Sequence, residues 1–119
     1  MAQLTKIALG PDAGFTDLIA QLAAVAGGGD SFNIQGNEIL VISNGNGSTC
    51  TVTLVAVADN FGIVNAAHNI TLAIPTTKVG IFGPFQAARY RDVNGNAQIT
   101  YSVSATVTIG VFTAALRAT

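Results

Sequence analysis

Turn-forming clusters recur along this chain and divide it into segments too short for most helices. After residue 27, groups of Gly, Asn and Pro come about every ten residues, and the segments between them mix apolar with small polar residues. That spacing is typical of an antiparallel sandwich or barrel. We therefore predict an all-β chain of eight to nine short strands, folded as a single antiparallel β-sandwich.

The low charge of the chain is its most unusual compositional feature. Charged residues make up 9% of the 119 residues, and half of the residues are hydrophobic. Typical soluble domains carry about 25% charged residues. Either Asn, Thr, Ser and Gln keep a free domain in solution, or neighbours in an assembly cover most of the surface. We favour the assembly, because a monomer with so little charge is prone to associate.

The clearest single strand follows a turn of four residues. Asn44–Gly47 reads NGNG, which predicts a hairpin because Asn and Gly tolerate positive φ. The stretch after it alternates, and this predicts Cys50, Val52, Leu54 and Ala56 on the inner face and Thr49, Thr51, Thr53 and Val55 on the outer face. The segment EILVISN before the turn contains the continuous apolar run ILVI, as in a buried strand.

Later segments continue the pattern. HNITLAIP predicts a strand that ends at Pro75, because Pro cannot donate to a ladder. Gly80 and Gly83 indicate a bulge or bend. The cluster DVNGN, which begins at Asp92, predicts a turn before the closing strands AQITYSVS and TVTIGVFTAAL.

The N-terminal part divides into two segments. We predict an extended arm over residues 1–17, made of QLTKIAL and the turn GPDAG, and a sandwich domain over residues 18–119. Residues 18–26, LIAQLAAVA, fit either a short helix or an extended segment, and the strand-like sequence after them favours the extended form. No signal-peptide pattern opens the chain, and its longest apolar stretch is too short to cross a bilayer.

Residues for chemistry are sparse. His68 is the single histidine, and one imidazole with one thiol does not supply the three or four ligands that a metal site needs. The lone Cys50 fits a buried apolar position better than a nucleophile. The carboxylates lie near turns, and no glycine cluster has the Lys and Ser/Thr of a phosphate loop. We therefore expect no enzyme activity, no metal and no cofactor.

Two arginines form the one local pair of positive charges. Arg89 and Arg91 point the same way if their segment is a strand. They then either protect a solvated sheet edge or contact an acidic patch on a partner. Nucleic-acid binding needs several basic residues on one face. Because the chain has no such cluster and a net charge of −1, we expect it not to bind nucleic acid.

Three stretches carry a resemblance to a known family. GGGDSFNIQGNEILVISNGNGSTCTVTL, HNITLAIPTTKVGIFGPF and RYRDVNGNAQITYS look like successive parts of one turn-and-strand pattern. The pattern resembles that of the small all-β head decoration, or cement, proteins of tailed bacteriophages. It covers roughly residues 27–116, and its motifs belong to turns and core strands.

The resemblance implies a jelly-roll-like sandwich bound to the outside of the phage head, made in the host cytoplasm. It implies a homotrimer that stabilises the shell of major capsid protein and grips it with a terminal arm. Leu4, Ile7 and Leu9 alternate within that arm and are candidates for adding a strand to a neighbour's sheet edge. On this hypothesis, deleting residues 1–10 abolishes attachment and leaves the fold intact.

Two other functions remain open at this point. One is a different phage structural part, in the tail or a fibre, with the same sandwich. The other is a carbohydrate-binding module, for which Phe61, Tyr90 and Tyr101 are the aromatic candidates.

Overall fold

The computed structural model describes residues 2–9, 14, 16–57 and 69–114, and within them the chain is built almost wholly from strands. In chain order the strands are β1 Ala2–Gln3, β2 Lys6–Leu9, β3 Ala23–Ala24, β4 Asp30–Asn33, β5 Glu38–Asn44, β6 Cys50–Val55, β7 Ile70–Ile74, β8 Val79–Phe82, β9 Asn96–Tyr101 and β10 Val107–Ala114. A 3-10 turn spans Ile19–Gln21, and a one-turn helix, α1, spans Ala87–Tyr90.

The strands form two sheets packed face to face. The first sheet has the order β1-β4-β9-β6-β7. The second has the order β2-β10-β5-β8, and β3 also pairs with β10. The predicted all-β sandwich is confirmed, whereas the jelly-roll-like arrangement stays a prediction.

The N-terminal strands contribute to both sheets. β1 pairs with β4 and β2 pairs with β10, and both of these pairs are parallel, whereas the other strand pairs are antiparallel. The segment predicted as an arm is therefore extended, and its described strands pair within their own chain. The contact of this arm with a neighbouring subunit stays a prediction, and so does the end of the arm at residue 17.

A single apolar core lies between the sheets. Inward-facing residues of β4, β5, β6, β9 and β10 are almost fully inaccessible to solvent, and Phe82, Phe85 and Tyr90 close one side of the core. The alternation predicted for β6 is confirmed, because Cys50, Val52 and Leu54 are buried and the threonines between them are half-exposed. Burial of such side chains supplies about 25 cal/mol per Å² of apolar area.

The predicted hairpin at Asn44–Gly47 is wrong, because β5 and β6 belong to different sheets. The turn instead carries the chain across the sandwich. Asn44 is almost fully buried, and its Nδ2 donates to the carbonyls of Ser48 and Ile74, each at 2.9 Å. Its Oδ1 accepts from the Asn46 N–H. These bonds satisfy backbone groups within the turn and at the end of β7.

Two other local predictions are resolved by the structure. Residues 18–26 are neither one helix nor one extended segment, since a 3-10 turn is followed by the short β3. β7 ends at Ile74, directly before Pro75, as predicted. His68 and most of the predicted turn GPDAG lie outside the described residues.

Candidate functional site

The outer face of the first sheet is polar and carries no charge. Asp30 is the sole charged residue in its five strands, and it is buried on the inner side. The outward positions, set by the pairing register and the burial pattern, are Gln3, Ser31, Asn33, Thr51, Thr53, Val55, Thr71, Ala73, Asn96, Gln98 and Thr100. Most of this face therefore consists of hydroxyl and amide groups.

A row of threonines crosses the middle of this face. Thr53 lies opposite Thr71 on β7 and opposite Thr100 on β9. Neighbouring strands lie about 4.8 Å apart, so the three hydroxyls form a regular line. The sequence revealed that Thr53 faces outward, but the row depends on strand pairing and could not be inferred from alternation alone.

Among the residues that the structure describes, the charged Asp92 lies at the border of this face. Asp92 accepts a hydrogen bond from Gln98 Nε2 at 2.7 Å. Its other oxygen accepts from the backbone N–H of Asn94 and of Asn96. These contacts confirm the turn predicted at Asp92. The hydrogen bond from the Asn96 N–H, with those from Gln98 and Asn94, lowers the pKa of Asp92.

The outer face of the second sheet is apolar and partly covered by its own side chains. The register places Val41 and Ile39 of β5 beside Gly110 and Phe112 of β10. A Cβ at Gly110 would lie 2.7 Å from both Leu22 Cδ2 and Phe112 Cε2. Because these two side chains pack over Gly110, Val41 is only 5% exposed although it faces away from the core.

The arm residues that were predicted to bind a partner lie close to the body of the protein. Leu4 packs against the core, and its N–H donates to the Ser31 carbonyl at 2.7 Å. Ile7 and Leu9 are half-buried on β2, opposite Phe112 and Ala114. A shallow cleft of about 300 Å³ lies between this segment and β10, and it is lined mainly by apolar residues such as Leu4, Ile7 and Val111.

One ion pair ties the N-terminal segment to the core. Lys6 Nζ donates to Glu38 Oε2 at 3.1 Å, and Glu38 is fully buried. The N–H groups of Gln35 and Gly36 also donate to this carboxylate. Burial alone would raise the pKa of Glu38, but the hydrogen bonds from Gln35, Gly36 and Lys6 together lower it. Sequence analysis missed this pair, because its two residues are far apart in the chain.

The two arginines do not lie along a strand. Arg89 is in α1, and Arg91 follows it, so the condition for their pointing the same way is not met. Nε and Nη2 of Arg91 donate to the Ile34 carbonyl at 3.2 and 2.9 Å. Arg91 thus fastens α1 to the segment between β4 and β5, whereas Arg89 is exposed.

Of the remaining candidate residues, those that the structure describes are buried or partly buried. Cys50 is buried, as predicted, and burial raises the pKa of its thiol. Tyr90 is 1% exposed, which removes it from a sugar-binding surface. Tyr101 is partly buried and donates to Asp30 Oδ2 at 2.7 Å. Burial, reinforced by this hydrogen bond, raises the pKa of Tyr101. Phe61 lies outside the described residues.

Metal-binding clusters and membrane-spanning helices are both absent from the described ranges. Residues 2–9, 14, 16–57 and 69–114 contain no group of three or more His, Cys, Asp or Glu side chains placed to hold a metal ion. No helix in the same ranges has the length and apolar character to cross a membrane. In comparisons with protein-family models, with curated proteins and with solved structures, no match to this chain was found.

Proposed function

We propose that this chain is a structural protein of a tailed-bacteriophage virion, a decoration or cement protein that binds the outside of the head and stabilises its shell of major capsid protein. The observation that carries the proposal is the uncharged outer face of the first sheet. A face that a neighbour covers must avoid unpaired charges, because burying a charge costs several kcal/mol unless it is paired. Hydroxyl and amide groups can either donate or accept hydrogen bonds, so they can stay paired when a neighbouring subunit buries them.

The interior of the protein supports a structural role. Among the described residues, no buried side-chain nitrogen or oxygen lacks a hydrogen-bond partner. The buried Glu38 is held by Lys6 and two backbone N–H groups, and Asp30 by Tyr101 and the Ala26 N–H. Polar groups held in this way stabilise a rigid body, and a rigid body loses little conformational entropy when many copies attach to a shell.

The family resemblance supplies the remaining parts of the proposal. Attachment at many equivalent positions lets a modest contact in each copy stabilise the whole particle. A homotrimer on the head surface, formed after synthesis in the host cytoplasm, is the assembly that the resemblance implies. The N-terminal segment with Leu4, Ile7 and Leu9, and the exposed Arg89, are further candidates for contact with the shell.

Binding to heads that lack the protein tests the proposal. Purified protein is mixed with such heads and sedimented, and saturable binding is expected. Thr53→Lys places a charge in the middle of the threonine row and is expected to abolish binding without loss of fold. Ser48→Lys adds the same charge in an exposed turn and serves as the matched control. No binding of the unaltered protein, or equal binding of both variants, contradicts the proposal.

A further inference from the structure

β8 forms an edge of the second sheet that the described residues leave open. It pairs with β5 on one side, in the register Val41↔Ile81, Ile42↔Gly80 and Ser43↔Val79. Among the described residues, no strand pairs with its other side. An open strand edge presents rows of N–H and carbonyl groups that can pair with another strand.

The direction of these groups follows from one hydrogen bond. The Asn44 N–H donates to the Lys78 carbonyl at 3.0 Å. Ser43 and Val79 are therefore a non-hydrogen-bonded pair of the antiparallel ladder. By alternation Gly80 bonds to β5, whereas the N–H and carbonyl of Val79 and of Ile81 point away from the sheet. These outward groups form a short template for one more strand.

The side chains of the same two residues are exposed and apolar. Val79 is 49% exposed and Ile81 is 67% exposed, on the outer face of the sheet. No charged residue lies within β8, although charge is the usual protection of an edge strand. Gly80 faces inward, and a Cβ there would lie 3.0 Å from Ile74 Cδ1.

The other sheet edges differ from this one. The remaining edge strands in the two sheet orders are β1, β2 and β7. β1 has only two residues, and β2 carries the charged Lys6 and has Ile7 and Leu9 half-buried. At β7 the Ile74 carbonyl accepts from Asn44 Nδ2. β8 is therefore the edge on which apolar exposure and outward backbone groups coincide.

We propose that β8 pairs with β8 of a second copy of this chain, antiparallel, about a two-fold axis at Gly80. In this register Val79 of one copy lies opposite Ile81 of the other. Each N–H of these residues then donates to a carbonyl of the second copy, so every outward group finds its complement. The exposed Val79 and Ile81 side chains meet across the junction, and the glycines on the axis add no bulk.

A second copy fits this edge better than an unrelated strand for two reasons. The order of donors and acceptors around Gly80 is self-complementary, as a two-fold contact requires. β8 itself carries no charge, and in this register Lys78, just before it, lies opposite Phe82 of the second copy, so like charges do not face each other at the junction. The contact is independent of the proposed function, and on a virion it would join subunits of neighbouring trimers.

Cross-linking tests the register directly. Val79→Cys and Ile81→Cys are prepared as separate variants, and the native Cys50 is fully buried. Residues in a hydrogen-bonded antiparallel pair have Cα atoms about 5.5 Å apart, within the range of a disulfide. Under mild oxidation, we expect a mixture of the two variants to form a heterodimer, with a disulfide between position 79 of one copy and position 81 of the other. We expect each variant alone to form almost no cross-link. No cross-link in the mixture, or equal cross-linking of each variant alone, overturns the proposal.

A backbone variant tests the hydrogen bonds without the disulfide. Ile81→Pro removes an N–H that points outward and leaves the ladder to β5 intact. By light scattering, we expect association to be lost in Ile81→Pro and retained in Ile81→Val. Unchanged association of Ile81→Pro overturns the proposal, and if this variant fails to fold, the cross-linking result decides. Hydrogen exchange gives a further outcome. If the amides of residues 79 and 81 are protected only when the protein is bound to phage heads, and the free protein does not self-associate, the edge binds a shell protein and the proposal is overturned.

Discussion

Lys6 Nζ lies 3.1 Å from Glu38 Oε2, and this ion pair joins the N-terminal segment to a carboxylate that is fully buried. Lys6 is on β2, at the edge of the second sheet, and Glu38 begins β5 in the middle of that sheet. The two strands are separated by β10, so the pair spans the sheet at one end of the sandwich.

Loss of the cation is expected to destabilise the fold. Lys6→Met leaves the buried carboxylate with only its two backbone donors, and we expect a loss of about 1–3 kcal/mol in the free energy of unfolding. Lys78→Met is the matched control, because Lys78 is exposed, and its effect should stay below about 0.5 kcal/mol. Urea unfolding of the two variants measures both values, and equal stability would show that the ion pair contributes nothing.

Stability should fall in acid. The folded-state pKa of Glu38 lies below its ordinary value of 4.5, so the unfolded chain takes up a proton first. The stabilisation is therefore complete above pH 4.5 and is lost as pH falls through the folded-state pKa. Asp92 acts in the same direction, below its ordinary value of 3.8.

The urea midpoint, measured as a function of pH, checks this dependence. It should decline below pH 4.5 in the unaltered protein, and the decline should be shallower in Glu38→Gln and in Asp92→Asn. A midpoint that rises on acidification would contradict the lowered pKa values of both carboxyl groups.

Asn44 should be one of the least replaceable polar residues. Its side chain makes three hydrogen bonds, to Ser48, Ile74 and Asn46, where the chain passes from one sheet to the other. Asn44→Ala leaves the buried Ile74 carbonyl without this donor, and we expect a cost of about 1–3 kcal/mol. Asn94→Ala in an exposed turn should cost less than about 0.5 kcal/mol. Thermal unfolding followed by circular dichroism compares the two.

Gly83 is required by its backbone conformation. Its φ is 116°, and a Cβ there would lie 2.9 Å from the Glu38 carbonyl oxygen. We expect Gly83→Ala to destabilise the protein by about 1–3 kcal/mol. A Cβ added at Gly47 would meet no atom within 4 Å, so Gly47→Ala should be nearly neutral. Similar denaturant midpoints for the two variants would show that Gly83 is not restricted.

The sequence predicted local strand character well, because alternation depends only on neighbouring residues. The inward set of β6 and the end of β7 before Pro75 were both predicted from the residues themselves. Turn chemistry, by contrast, does not specify which sheet the next strand joins. Asn44–Gly47 has the residues of a hairpin but connects strands of different sheets.

The candidate surfaces depend on long-range pairing and were therefore only partly predictable. Alternation placed Thr53 outside, but its alignment with Thr71 and Thr100 comes from three strands remote in sequence. The N-terminal segment reads as a separable arm, yet its pairing with β4 and β10 means that deleting residues 1–10 removes a strand from each sheet. The expectation that such a deletion leaves the fold intact is therefore withdrawn.

A cryo-electron microscopy map of phage heads saturated with the protein tests the central claim most directly. We predict density for the sandwich on the outer surface of the head, with the threonine row of Thr53, Thr71 and Thr100 covered by a neighbouring subunit. A particle without such density, or a bound sandwich whose uncharged face is open to solvent, contradicts the claim.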